Sequence, residues 1–101
     1  MAPAMFTASI VTYRPEPRLF GRALASLATA IVEARRRGAL GDATVYVVDN
    51  GSREARGAIE PAMAAWPAQV AQDAAQVRIF EIVLEQTAGL HQLMTCIVVC
   101  G

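Results

Sequence analysis

The sequence predicts an α/β fold, a mostly parallel sheet with flanking helices, on three observations. A β-branched and aromatic run from Phe6 to Thr12 reads as a strand, and an amphipathic stretch from Arg18 to Arg37 reads as a helix. An uninterrupted apolar run, Thr44-Val45-Tyr46-Val47-Val48, then lacks the alternation of a half-exposed strand and is expected to be a central parallel strand covered on both faces. A strand, a long helix and a second strand in that order form a right-handed crossover in nearly all known cases, so both strand tips reach the same edge of the sheet.

Each element has its own local signals. Tyr13, Pro15 and Pro17 end the first strand, because proline brings no N–H to a ladder. In the helix, Phe20, Leu24, Leu27 and Ile31 recur at helical spacing, with Arg22, Ser26, Thr29, Glu33 and Arg36 on the other side. Arg35, Arg36 and Arg37 complement the helix dipole at its last turn, and Gly38 stands where a C-terminal cap wants it, so helix termination is a sufficient reason for the arginine run. Gly41-Asp42 is expected to turn the chain into the second strand. Beyond it, Arg53 to Trp66 is expected to be helical behind a Ser52 cap and to be split in two by Gly57 and Pro61. Val77 to Leu84 reads as a third strand interrupted by Arg78 and Glu81. Gln86 to Met94 reads as a loop or short helix, and Thr95 to Cys100 as a last strand.

Composition bounds the function. At 101 residues the chain is one domain. A hydrophobic fraction of 54% against 18% charged is too apolar for disorder. Nine basic and nine acidic residues cancel, so no net field draws in nucleic acid or an anionic membrane. Every basic residue is arginine, which excludes a lysine Schiff base and a P-loop lysine. On a strand Cys96 and Cys100 stand about 13 Å apart, too far to bridge, and are expected as reduced thiols. With neither a signal peptide nor a run of about 20 apolar residues, the expected location is the cytoplasm, with association at the cytoplasmic face of a membrane as the variant.

Ligands of open α/β sheets bind outside the carboxyl ends of the strands, which here are Thr12-Tyr13 and Asp49-Asn50-Gly51-Ser52. An aspartate ending a buried strand can accept hydrogen bonds from a base N–H or from ribose hydroxyls. It can equally close an Asx-turn on the backbone of Gly51 or Ser52, and both roles fit Asp49. The other singletons read as packing or surface: Trp66 beside Pro67, the lone His91 without a ligand partner, and the two cysteines with no residue placed to lower their pKa. No Gly-x-Gly-x-x-Gly follows the first strand, where Tyr13-Arg14-Pro15 stands instead, so a dinucleotide-binding fingerprint is absent.

Ser9-Ile10-Val11-Thr12-Tyr13-Arg14-Pro15, followed after one long helix by Val45-Tyr46-Val47-Val48-Asp49-Asn50-Gly51-Ser52, resembles the two opening motifs of family 2 glycosyltransferases, enzymes of the GT-A fold. The resemblance covers the first half of the chain. It implies that Thr12, Tyr13 and Asp49, with Asn50, Gly51 and Ser52 in the same turn, contact the nucleotide of a sugar donor. Rhamnosyltransferase-like members that build bacterial surface polysaccharides further imply a dTDP- or UDP-linked sugar and a saccharide acceptor. Arg14 stands where the family has asparagine and receives no role.

The second half departs from the family. No Asp-x-Asp occurs in the sequence to hold the divalent Mg or Mn that the family uses, and Gln86-Thr87-Ala88-Gly89 is a poor match for its loop after the third strand. The acidic residue that deprotonates the acceptor falls, in the family, beyond position 101. The expectation is therefore a donor-binding part of a glycosyltransferase whose catalytic half is missing, truncated or frame-shifted after about Leu84. The alternative is a small non-catalytic α/β module that pairs with a partner or with itself through an exposed sheet edge.

Overall fold

Strand β1, Ala4–Thr12, leads into helix α1, Pro17–Arg36, and then into strand β2, Leu40–Asp49. A second connection, helix α2 (Arg56–Ala64), helix α3 (Trp66–Val70) and a 3₁₀ turn (Ala71–Asp73), delivers strand β3, Val77–Val83. The computed structural model describes residues 4–13, 15–49 and 56–83, so Leu84 and the segments expected at Gln86 to Met94 and Thr95 to Cys100 lie outside the described residues. The three strands are all parallel in the order β1-β2-β3, with β2 central. The fold is α/β with flanking helices, as the sequence predicts.

Helix α1 is specified at both ends. Glu16 caps its start: the carboxylate Oε2 accepts the Leu19 N–H at 2.8 Å, and Pro17 occupies the first turn, where its missing N–H has no cost. Its C-terminus is a Schellman motif: the Gly38 N–H bonds to the Arg35 carbonyl at 2.9 Å, and the Ala39 N–H to the Ala34 carbonyl at 3.0 Å. Gly38 makes this possible with φ +77, a left-handed value that a side chain would resist.

Alternation along the strands divides the sheet into two faces. Ala43, Val45 and Val47 of β2 point to one side, beside Phe6, Ala8 and Ile10 of β1 and Val77 and Ile79 of β3. Phe20, Leu24, Ala28 and Ile31 of α1, and Ile59, Trp66 and Val70 of α2 and α3, pack on that side, so both helical connections cover the same face. Trp66 is buried and its Nε1–H donates to the Val77 carbonyl at 3.1 Å, which ties α3 to the start of β3. The other face presents Met5, Tyr46, Phe80 and Ile82. Among the described residues β2 is therefore central but covered on one face only.

Three local expectations need correction. Gly41 and Asp42 do not turn the chain; they lie inside β2, where the β1–β2 register slips by one residue between Ala4↔Leu40 and Phe6↔Ala43. An irregular strand accommodates glycine there as readily as a turn does. Nor does Pro61 split the second helical region: α2 runs through it, and the break falls at Ala65, just before Pro67 in the first turn of α3. Burial of Ala58 and Ile59 offsets the one hydrogen bond that Pro61 cannot make. Finally, the arginine run does more than complement a dipole. Arg35 Nε stands 3.3 Å from Asp73 Oδ2 and its Nη1 donates to the Gly41 carbonyl, which fastens the end of α1 to the start of β2 and to the 3₁₀ turn before β3.

Candidate functional site at the carboxyl edge of the sheet

Parallel pairing brings the ends of β1 and β2 level, and Thr12 and Asp49 are direct register partners there. Both belong to the helix-covered face and are buried, Thr12 at 6% and Asp49 at 2% relative exposure. The Thr12 hydroxyl donates to the Val48 carbonyl at a long 3.5 Å, a weak bond that leaves the oxygen's acceptor capacity open to another donor. Asp49 also has an interaction within the chain, as a carboxylate withdrawn from water requires. Tyr13 follows at the bend after β1 with 53% exposure, a ring presented to solvent beside the buried pair.

The sequence-predicted residues thus divide three ways. Thr12 and Asp49 are brought side by side, Tyr13 adjoins them, and Asn50, Gly51 and Ser52, with Arg14, lie outside the described residues. Glu81, which the sequence reading left as a polar interruption of the third strand, joins the group: it pairs with Val47 on the same face, one alternation below the Asp49↔Val83 pair. It is half-buried and also has an interaction within the chain. Only the β2–β3 register places it near Asp49. The one available signal was a charge at an alternate position shared with the apolar Val77 and Ile79.

The opposite end of the sheet holds a cleft of about 350 Å³ lined by Val32, Arg35, Arg36, Val70, Ala71, Gln72 and Asp73. Its charged lining is taken up by the Arg35–Asp73 pair, which fastens α1 to the 3₁₀ turn, and by the pairing of Arg36 with Glu33, so it reads as a structural joint. Among the described residues no three His, Cys, Asp or Glu side chains come together as a metal site, and no helix is long and apolar enough to cross a membrane.

The fold and this edge define a small parallel α/β unit compatible with a Rossmann-like arrangement. In comparisons with protein-family models, curated proteins and solved structures, nothing matches this chain.

Proposed function

We propose that the carboxyl edge of the sheet binds the nucleotide of a nucleotide-sugar donor, and that the chain is the donor-binding part of a GT-A glycosyltransferase acting on a saccharide acceptor in the cytoplasm. One observation carries this reading: Thr12 and Asp49, from motifs 37 positions apart, are register partners at the carboxyl ends of adjacent parallel strands. This is where open α/β sheets take their ligands. In this reading the Asp49 carboxylate accepts from the base or ribose, Tyr13 stacks on the base, and the Thr12 hydroxyl and the Asn50-Gly51-Ser52 turn complete the contact.

Catalysis is a separate matter. Departure of a nucleoside diphosphate requires its developing charge to be neutralised by a metal or by clustered cations. Among the described residues no three potential metal ligands come together, and no transfer step is assigned to them; the chain by itself is proposed to bind without transferring. The competing reading, a module that pairs through a sheet edge, is favoured by the outer edges of β1 and β3, which carry no further strand among the described residues.

Calorimetric titration with UDP and dTDP, with and without manganese, separates the two. Saturable binding that Asp49→Asn weakens about 10- to 100-fold, the worth of one hydrogen bond to a charged group, supports the donor site. A folded chain that binds neither nucleotide overturns it.

A further inference from the structure

We propose that residues 84–101 dock on the face of the sheet opposite the helices. This does not depend on the nucleotide reading. On the carboxyl-end half of that face Phe80 and Ile82 are 48% and 41% exposed, and Tyr46 and Phe80, register partners on β2 and β3, stack with ring centroids 5.9 Å apart; Ser9 borders them, and the row Thr7, Thr44 and Arg78 separates them from Met5. Val11 and Val48 continue the patch on β1 and β2. Parallel sheets ordinarily have both faces covered, and among the described residues the helices cover only one.

Topology and length favour the chain's own continuation as the cover. The steps from β1 to β2 and from β2 to β3 run in one direction with both helical connections on one side. With handedness fixed, a chain that leaves β3 and turns back toward β1 must cross the other side. Residues 84–101 follow β3 directly, carry Glu85 as their sole formal charge, and include Leu84, Leu90, Leu93, Met94, Ile97, Val98 and Val99. Left in water, such a segment exposes a large apolar surface. Three strands with about seven paired residues each make a face about 14 Å by 23 Å. An extended segment of this length reaches about 60 Å, enough to cross that face.

A second copy is the weaker occupant. A flat patch of about 320 Å² falls short of the roughly 800 Å² per partner that stable association needs. A segment joined covalently to β3 loses no translational freedom on docking.

Cys96 and Cys100 are the only cysteines and both lie in this segment, so thiol modification of the unaltered chain tests the proposal. Docking predicts reaction with a bulky aqueous thiol reagent about tenfold or more slower in the native chain than in denaturant, independent of protein concentration. The double substitution Phe80→Asp with Ile82→Asp is expected to restore the fast rate while Trp66 fluorescence reports an intact helical side. If the double variant loses that fluorescence signature, Phe80→Ser alone is read in the same assay. Native thiols that react at the unfolded rate would overturn the proposal. So would protection unchanged by the face substitutions, or protection that appears only as light scattering detects a dimer.

Discussion

On the helical face of the sheet Ala43, Val45 and Val47 are wholly withdrawn from water. One residue along the same strand, on the other face, Tyr46 and Val48 are only half-buried, and Phe80 and Ile82 of the adjoining strand are more exposed still. Composition accounts for part of the difference, since Thr7, Ser9, Thr44 and Arg78 share the outer face with Val11, Tyr46, Val48, Phe80 and Ile82. The rest comes from what lies across: Phe20, Leu24, Ala28 and Ile31 of α1 with Ile59, Trp66 and Val70 of α2 and α3 on one side, and no described element on the other. Only toward the carboxyl end, at Val47 and Val48 with their neighbours Ile10, Val11 and Ile82, is the sheet apolar on both faces, and there the pattern of one strand cannot tell which cover has been supplied.

Paired truncations test the contrast, and the largest effect is expected at Trp66. Trp66→Ala removes the biggest fully buried side chain and leaves the Val77 carbonyl without its donor, for an expected loss of about 3–5 kcal/mol. That is a large part of the 5–15 kcal/mol typical of a domain. Phe80→Ala removes a side chain that is 48% exposed and is expected to cost about half as much or less where nothing further covers it, and more in proportion to the area that docked residues 84–101 withdraw from water. Urea denaturation followed by circular dichroism measures both without relying on the tryptophan. Equal losses would mean that the two faces are packed alike.

The same contrast shows what was readable beforehand. The order strand, helix, parallel strand was legible because Pro17, Gly38 and the spacing of Phe20, Leu24 and Ile31 are local signals, and local signals fixed α1 to within a residue at each end. The pairing of Thr12 with Asp49 was also within reach, since one crossover of known hand aligns the strand tips. Glu81 was not, because its place depends on the β2–β3 register, a long-range relation that no short pattern carries. Pro61 and Gly41 misled for a related reason: a helix buried through Ile59 and an irregular strand each tolerated a residue that favours a break in isolation. Trp66 read correctly as packing, but its bond to Val77 required the fold.

The covered face is built at some backbone cost, located where α3 passes into β3. Ala71 has φ +51, a left-handed value for a residue with a side chain, at the first position of the 3₁₀ turn, directly after buried Val70. At ψ −116 this is a sparsely populated backbone region, and glycine removes a penalty of roughly 1–2 kcal/mol but gives the unfolded chain about 0.5–1 kcal/mol more conformational freedom. Ala71→Gly is therefore expected to raise stability by about 0.5–1 kcal/mol, read as a higher denaturation midpoint at unchanged slope. A loss of stability would show that the alanine methyl contributes packing worth more than the strain.

The smallest effect belongs to the outer surface of the helical cover, at the solvent end of α1. There the Glu33 carboxylate accepts from Arg37 Nε at 2.8 Å and also pairs with Arg36. Hydrogen bonds from Arg37 first and Arg36 second hold its pKa below the ordinary glutamate value. The folded chain therefore keeps this carboxylate ionised to lower pH than the unfolded chain does. The resulting stabilisation is present above the unfolded value and disappears as pH falls through the folded one. Both arginines are about three-quarters exposed, so salt screens the pairs and the contribution stays at the low end for surface ions. Glu33→Gln is expected to leave stability nearly unchanged in strong acid and to lower it slightly near neutrality, with the gap closing in high salt. A neutral-pH loss that persists at high salt would mean that Glu33 holds the C-terminus of α1 by geometry, as Arg35 does from the inner side.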